Sequence, residues 1–457
     1  MPNPIISYLK HRKHFYIACL ILCLAFAFSR LPFFIWMPIP IVSPDTFDYY
    51  SVVREMMNGS FKGFGLLPPG FIIFLYAMEV IFTRTFYILL IQNLLSFSVC
   101  IFFISVVSKY YKKSAIPVAI ALSIYMMDSY SLRFDFSFLT ESLYRNSLII
   151  LAGLMILILN SHRKIYWIIF SVFLIFPPLF RSNGLYIYFL LLFVLIFLLT
   201  NKFTLKHYLL LFLPIVILNI GWSAFNYSTE NRFFPGNPGR LNSVINIMYG
   251  DKPGATIKTS TQESIKSKAA LFAEFSTYIS KDRPQFYYTI LLDAYRQFYV
   301  SDIIHDTAYK RSDWTLPVDT ALRILTLKEF YTEPNKYAEV IADFEPASSH
   351  SLWLKTFNVY YKVHSFLFNN FVWLLLFIAI YFISLWQLIK SRFKNKNAFL
   401  LFCIVNIHFL AILSLTFFGW FQERYIQVSE FIVYLTIALS PLLFLKNKEP
   451  GKSDAEQ

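Results

Sequence analysis

Long, nearly uncharged apolar runs recur along the chain and constrain its fold more than any other feature. About 20 such residues are what a helix needs to cross a hydrocarbon core ~30 Å thick. The runs cover residues 15–40, 67–83, 85–108, 114–131, 142–160, 165–180, 185–200, 208–225, 367–389, 398–418 and 427–445. A segment in lipid must pair its own backbone N–H and C=O groups, so these runs are read as helices. Composition points the same way. The chain has 457 residues, 57% of them hydrophobic and 15% charged, and phenylalanine alone supplies 51. A soluble domain carries about a quarter charged residues. The expected fold class is an all-α polytopic membrane protein.

The formal charge of +14 would suggest a nucleic-acid partner in a soluble protein. Here the basic residues sit in short clusters between apolar runs, where they orient spans instead. No nucleic acid is expected. If the run Leu67 to Thr83 does not cross, then Lys109/Lys112/Lys113, Arg163/Lys164, Lys202/Lys206, Lys390/Arg392/Lys394/Lys396 and Lys446/Lys448 all share the side of Lys10, Arg12 and Lys13. That run is short, opens with Pro68-Pro69 and contains Glu79, features of a juxtamembrane helix. The N-terminal run is longer than the apolar stretch of a signal peptide and has no small-residue cleavage site, so it is read as the first span. The topology expected is about ten transmembrane helices in a multi-pass cell-membrane protein, with both termini cytoplasmic. The weakest span is 165–180, which contains Pro177-Pro178. The units are a core at 1–225 with a first outer loop at 41–84, an extracytoplasmic and mostly helical insertion at 226–366, C-terminal spans at 367–445 and a cytoplasmic tail at 446–457.

This arrangement gathers the chemistry-bearing residues outside. In Ser43-Pro44-Asp45, Ser43 suits an N-cap and Pro44 a first helical position, and Asn58-Gly59 supplies a stop. Asp45 and Asp48, three apart, share one face of that helix, although acidic residues in a first turn also simply complement the helix dipole. The next outer stretch holds Asp128, Arg133, Asp135 and Thr140-Glu141-Ser142, with Thr140 placed to cap the following span. Arg145 is four residues from Glu141 and is expected to pair with it. Arg181 and the triplet Glu423-Arg424-Tyr425 fall at the outer rim. A single rim arginine usually snorkels to headgroups, whereas two beside several carboxylates suit an anionic substrate with a general base nearby. His408, alone in an apolar run, reads as hydrogen-bonded within the bundle. Asp302, His305 and Asp306 read as solvated loop more readily than as a metal site. The four cysteines lack zinc-type spacing.

Five pieces of the sequence carry a resemblance: Ser43-Pro44-Asp45-Thr46-Phe47-Asp48-Tyr49-Tyr50, Leu67-Pro68-Pro69-Gly70-Phe71, Thr140-Glu141-Ser142-Leu143, Phe180-Arg181-Ser182-Asn183-Gly184-Leu185 and Glu423-Arg424-Tyr425-Ile426. Their order resembles the polytopic GT-C glycosyltransferases, the superfamily of protein O-mannosyltransferases and aminoarabinose transferases. The resemblance implies a sugar donor on a polyprenyl phosphate, used at the extracytoplasmic face. The acceptor would be a glycan, a lipid or a protein, and the anomeric carbon would invert. By position, Asp45 and Glu141 take the family's two catalytic acidic places, with Asp45 as general base or acceptor-orienting group. Asp48, Arg181, Glu423, Arg424 and Tyr425 are the expected substrate-binding residues, the two arginines gripping the donor phosphate. No cofactor is certain, and Asp45 is where a divalent metal could bind. Two departures set this chain apart from protein mannosyltransferases: Thr46 follows Asp45 where those enzymes have a second acidic residue, and no basic residue follows Pro68-Pro69. They favour a glycan, lipid or envelope-polymer acceptor over a protein. The competing readings are an envelope polysaccharide polymerase, which transfers a whole glycan, and a lipid-linked glycan flippase or transporter, which needs polar residues through the middle of its spans.

Overall fold

The computed structural model describes residues 4–36, 44–61, 67–82, 85–161, 163–201, 204–230, 371–418 and 428–445, with single positions at 64, 233, 359 and 363. The side chains of Asp45, Asp48 and Arg133 are not among those described, nor are residues 419–427 and most of the 226–366 insertion. The expectations for the Ser43 cap, for Glu423, Arg424 and Tyr425, and for Asp302, His305 and Asp306 therefore lie outside the described residues.

Every regular element among the described residues is helical. The helices are α1 (Pro4–Trp36), α2 (Pro44–Met57), α3 (Pro69–Phe82), α4 (Thr85–Tyr110), α5 (Ala115–Met126), α6 (Ser129–Phe136), α7 (Glu141–Asn160), α8 (Lys164–Phe173), α9 (Phe176–Phe180), α10 (Leu190–Thr200), α11 (Leu205–Glu230), α12 (Phe371–Lys390), α13 (Lys396–Phe418) and α14 (Phe431–Leu439). Tighter 3-10 turns at Lys112–Ser114, Ser182–Phe189 and Ser440–Phe444 extend α5, α10 and α14. Four stretches, Lys13–Leu31, Phe86–Tyr110, Glu141–Asn160 and Leu205–Thr229, are long and apolar enough to cross a membrane. The remaining apolar runs fold as shorter helices.

Local chemistry accounts for the boundaries that matter. α2 begins on Pro44, whose fixed φ suits a first turn. It ends at Asn58-Gly59, where Gly59 adopts φ 81° and Ser60 N–H donates to the Glu55 carbonyl at 2.9 Å, closing a Schellman turn. The run at 165–180 breaks into α8 and α9 at Leu174 and Ile175, just before Pro177-Pro178, which remove two backbone donors. Thr140 precedes α7 but makes no capping hydrogen bond; its hydroxyl donates to Glu141 Oε2 at 3.4 Å. The capping role expected of Thr140 is not what the structure shows.

Cross-helix contacts define two ends of the bundle. At one end, Phe34 near the close of α1 meets Phe86 at the start of α4 and Phe136 of α6. Arg30 of α1 donates to the Met126 carbonyl, where α5 ends, at 2.8 Å. The chain thus leaves α1 and enters α4 at the same end, and α2 and α3 return it to where it started. α11 finishes there too, with Phe225 against Phe61 and Phe64. At the other end, Asn160 Nδ2 donates to Tyr111 Oη at 3.0 Å, the Tyr111 hydroxyl donates to Asn397 Oδ1 at 3.2 Å, and Asn397 Nδ2 donates to the Leu442 carbonyl at 3.2 Å. Asn201 Nδ2 joins this end through the Phe393 carbonyl at 3.2 Å.

The ends differ in charge. Among the described side chains, every lysine, together with Arg163 and Arg392, lies at the Tyr111–Asn160–Asn397 end. The described carboxylates, Glu55, Glu79, Asp128, Asp135, Glu141 and Glu430, lie at the other end, where the cations are arginines. Between the ends the core is apolar, with α1 along α5, α4 along α7 and α13 against the 182–189 turn. If lipid surrounds the helices, close packing rather than exclusion from water holds such a core together.

Candidate functional site

At the acidic end, four of the five motif segments come together. Tyr49 of α2 lies edge-on to Phe71 of α3, ring centroids 5.2 Å apart. Gly70, just inside α3, packs against α9 so closely that a Cβ there would sit 2.8 Å from the Phe180 ring and 3.0 Å from the Leu179 carbonyl. Gly184 folds back on Pro177, and a Cβ would lie 2.3 Å from its carbonyl oxygen. Between these two close approaches the backbone is extended at Arg181, which aims its guanidinium at the first residue of α7. The Arg181 Nη1 to Glu141 Oε1 distance is 2.9 Å, with the two side chains 7% and 2% exposed.

The structure therefore brings Glu141 and Arg181 into contact. It also corrects the expectation that Arg145 pairs with Glu141. Arg145 points to Asp135 instead, Nη2 to Oδ1 at 2.5 Å. The i, i+4 geometry on α7 allowed the first pairing, but α6 folds back across the start of α7 and presents a better-placed carboxylate. The Arg181 guanidinium also lies 5.8 Å from the centroid of the Tyr144 ring, within cation–π range. The Tyr144 hydroxyl donates to Tyr186 Oη at 2.5 Å, tying α7 to the 182–189 turn.

One turn deeper lies a polar cluster centred on Asp135. Its Oδ2 accepts from Arg30 Nη2 at 2.6 Å, and its Oδ1 accepts from Ser142 Oγ at 2.7 Å and Ser96 Oγ at 2.8 Å as well as from Arg145. Arg145 also donates to Ser131 Oγ at 2.9 Å. Gln92 Nε2 donates to the Phe134 and Ser137 carbonyls at 2.9 and 3.0 Å, and Asn93 Nδ2 to the Asp135 carbonyl at 2.9 Å. α1, α4, α6 and α7 are thereby joined through one carboxylate. Burial alone would push the Asp135 carboxyl up, but the guanidiniums of Arg145 and Arg30 hold it below its ordinary value. In α2, burial, reinforced by Glu79, pushes the Tyr50 phenol up to about 12.

The spacing arguments missed Arg30 entirely. The available signal was an arginine inside an otherwise apolar run, which in a membrane segment marks a partner or a function by default. Gln92, Asn93 and Ser96, on one face of α4, gave a second signal. The expectation of nearly uncharged spans is corrected accordingly: Arg30 and Arg145 both lie within the apolar stretches and are fully buried. His408 behaves as expected, with Nδ1 2.8 Å from Ser429 Oγ.

An apolar cavity of about 780 Å³ opens between the α2–α3 connection, the α8–α9 turn and the second half of α11. Phe64, Pro69, Phe176, Leu179, Trp222 and Phe225 line it. Pro178 also lines it, so the lining ends two residues before Arg181 in the chain. A volume of this order suits a small-molecule or lipid-sized ligand. Among the described residues no three His, Cys, Asp or Glu side chains converge, and the possible metal position at Asp45 falls outside the described side chains. Neither the family models nor the curated proteins compared with this chain give a match.

Proposed function

We propose that this chain is a membrane glycosyltransferase of GT-C type that moves a sugar from a polyprenyl-phosphate donor to a cell-envelope glycan, lipid or protein acceptor. The observation that carries the reading is the meeting of Glu141 and Arg181 at the end of the bundle where the described carboxylates collect, with an apolar cavity lined by Leu179, two residues before Arg181. About ten crossings are proposed, α1, α4, α5, α7, α8–α9, the 182–200 segment, α11, α12, α13 and α14. The lysine-rich end would face the cytoplasm by the positive-inside rule, and the carboxylate end would be extracytoplasmic.

In this scheme the polyprenyl chain occupies the apolar cavity, and Arg181 and Arg424 receive the phosphate. Asp48, Glu423 and Tyr425 complete substrate binding. The acceptor oxygen or nitrogen attacks the anomeric carbon from the face opposite the phosphate, and its proton passes to Asp45. The electron pair of the breaking C–O bond leaves on polyprenyl phosphate, which needs no separate general acid. A positioned base contributes a rate factor of ~10²–10⁴, and an oriented charge-stabilising donor ~10²–10³.

The test supplies membranes containing wild type or Asp45→Asn with a panel of radiolabelled polyprenyl-phosphate sugars, and the products are extracted and sized. Label moved from one donor by wild type alone, with both proteins inserted equally, supports the transferase and identifies the sugar. No transfer from any single-sugar donor at normal protein levels overturns it in favour of a whole-glycan polymerase or a lipid-linked glycan flippase. Turnover by Asp45→Asn at the wild-type rate removes Asp45 from the mechanism.

A further inference from the structure

The two buried arginines of α7 and the 181–184 corner are held in different ways. Arg145 is clamped by Asp135, Ser131 and Ser96, groups from α4 and α6 that no ligand could replace without unpacking the bundle. Arg181 lies on extended backbone between α9 and the 182–189 turn, two residues after the cavity-lining Leu179, and it meets the carboxylate of the first residue of α7.

We propose that Glu141 is an internal stand-in for an anionic ligand of Arg181. It holds the guanidinium, and an incoming phosphate takes its place and frees the carboxylate. Three physical points support the exchange. With the side chains only 7% and 2% exposed, separating Glu141 from Arg181 removes a buried counter-charge, a loss that an arriving anion offsets. Replacing a carboxylate by a phosphate keeps the local charge balanced, and the guanidinium fork pairs with either group. Once released, Glu141 remains at the N-terminus of a 20-residue helix, where the helix dipole favours a negative side chain.

The arrangement frees the Glu141 carboxylate when a phosphate is bound. That couples ligand arrival to the state of the site without a moving domain. The inference takes from the transferase reading only the identity of the anion, a phosphate carried on a polyprenyl chain.

The experiment measures binding of radiolabelled polyprenyl phosphate to the full-length protein in nanodiscs, with unphosphorylated polyprenol as the comparison. Glu141→Gln removes the competing charge and keeps the arginine, so it should bind polyprenyl phosphate about tenfold tighter than wild type; Arg181→Met should bind about tenfold more weakly. Polyprenol should bind all three alike. A readout on the unaltered protein avoids dependence on how the variants fold: polyprenyl phosphate should raise carbodiimide labelling of Glu141, read by mass spectrometry, several-fold over polyprenol. Glu141→Gln binding no tighter than wild type, or labelling that does not rise, overturns the exchange. If Arg181→Met is still weakened in that case, the phosphate role of Arg181 survives. Wild type that does not distinguish polyprenyl phosphate from polyprenol overturns both the exchange and the donor assignment.

Discussion

Replacing Asp135 by asparagine tests the central claim about how the acidic end is built. The amide keeps one oxygen, which can still serve Arg145, Ser96 and Ser142, but it puts an NH₂ where Arg30 Nη2 now lies 2.6 Å from Oδ2. Two guanidiniums, both fully buried, lose their shared counter-charge. Breaking a buried ion pair from one side costs about 3–5 kcal/mol, and that is the loss of stability expected. Arg30→Met alone leaves Asp135 paired with Arg145 and should cost less, about 1–3 kcal/mol for a hydrogen bond to a charged group. The sign of the combination is the sharper test. In the Asp135→Asn background, Arg30→Met removes a cation that has lost its anion, so the double variant should be more stable than Asp135→Asn by about 1 kcal/mol or more. Equilibrium unfolding in lipid bicelles by steric trapping gives these differences directly, with the exposed Glu55→Gln as a control expected within about 0.5 kcal/mol of wild type. A loss below about 1 kcal/mol for Asp135→Asn, or a double variant as unstable as the sum of the singles, would refute the reasoning.

Gly184→Ala forces a Cβ to within 2.3 Å of the Pro177 carbonyl, so it should cost about 1–3 kcal/mol in the same unfolding measurement and weaken polyprenyl-phosphate binding by displacing Arg181. Gly221→Ala, whose Cβ meets nothing within 4 Å, should be neutral or stabilising by up to about 1 kcal/mol. Because Asp135 is held below its ordinary value in the folded protein, its contribution is complete above the unfolded carboxylate value of about 4 and is lost as pH falls through the lower folded one. The stability difference between wild type and Asp135→Asn should therefore be flat from pH 7 to about 5 and shrink below about 4; a difference that shrinks between pH 7 and 5 would contradict the assignment.

Sequence pattern revealed the elements better than their partners. Apolar length located the long helices, Asn58-Gly59 marked the end of α2, and Pro177-Pro178 marked 165–180 as the weakest span, which the structure divides into α8 and α9, because each depends on residues within one turn of the effect. Charge parity anticipated that α1 ends and α4 begins at one end of the bundle, since clusters of lysine register on which side each loop lies. Glu141 and Arg181 were both placed at that end, yet nothing in the sequence said that they touch. The pairing of Arg145 went wrong because helical spacing exposes only neighbours three or four residues away, whereas Asp135 lies ten residues off on another helix. Arg30 was missed for the same reason at larger scale, its partner being 105 residues distant. Such contacts depend on how helices dock, which no single run of residues encodes.

The distance between Arg30 and Asp135 also has a meaning in time. At about 5–20 residues per second, the 105 residues between them take roughly 5–20 s to synthesise. Through that interval the first helix carries a guanidinium whose carboxylate does not yet exist, and it must hold the charge near the lipid–water boundary. Closure becomes possible once α7 has followed Asp135 out of the ribosome. From then on, α1, α4, α5, α6 and α7 can lock as a unit before the 226–366 insertion has been made.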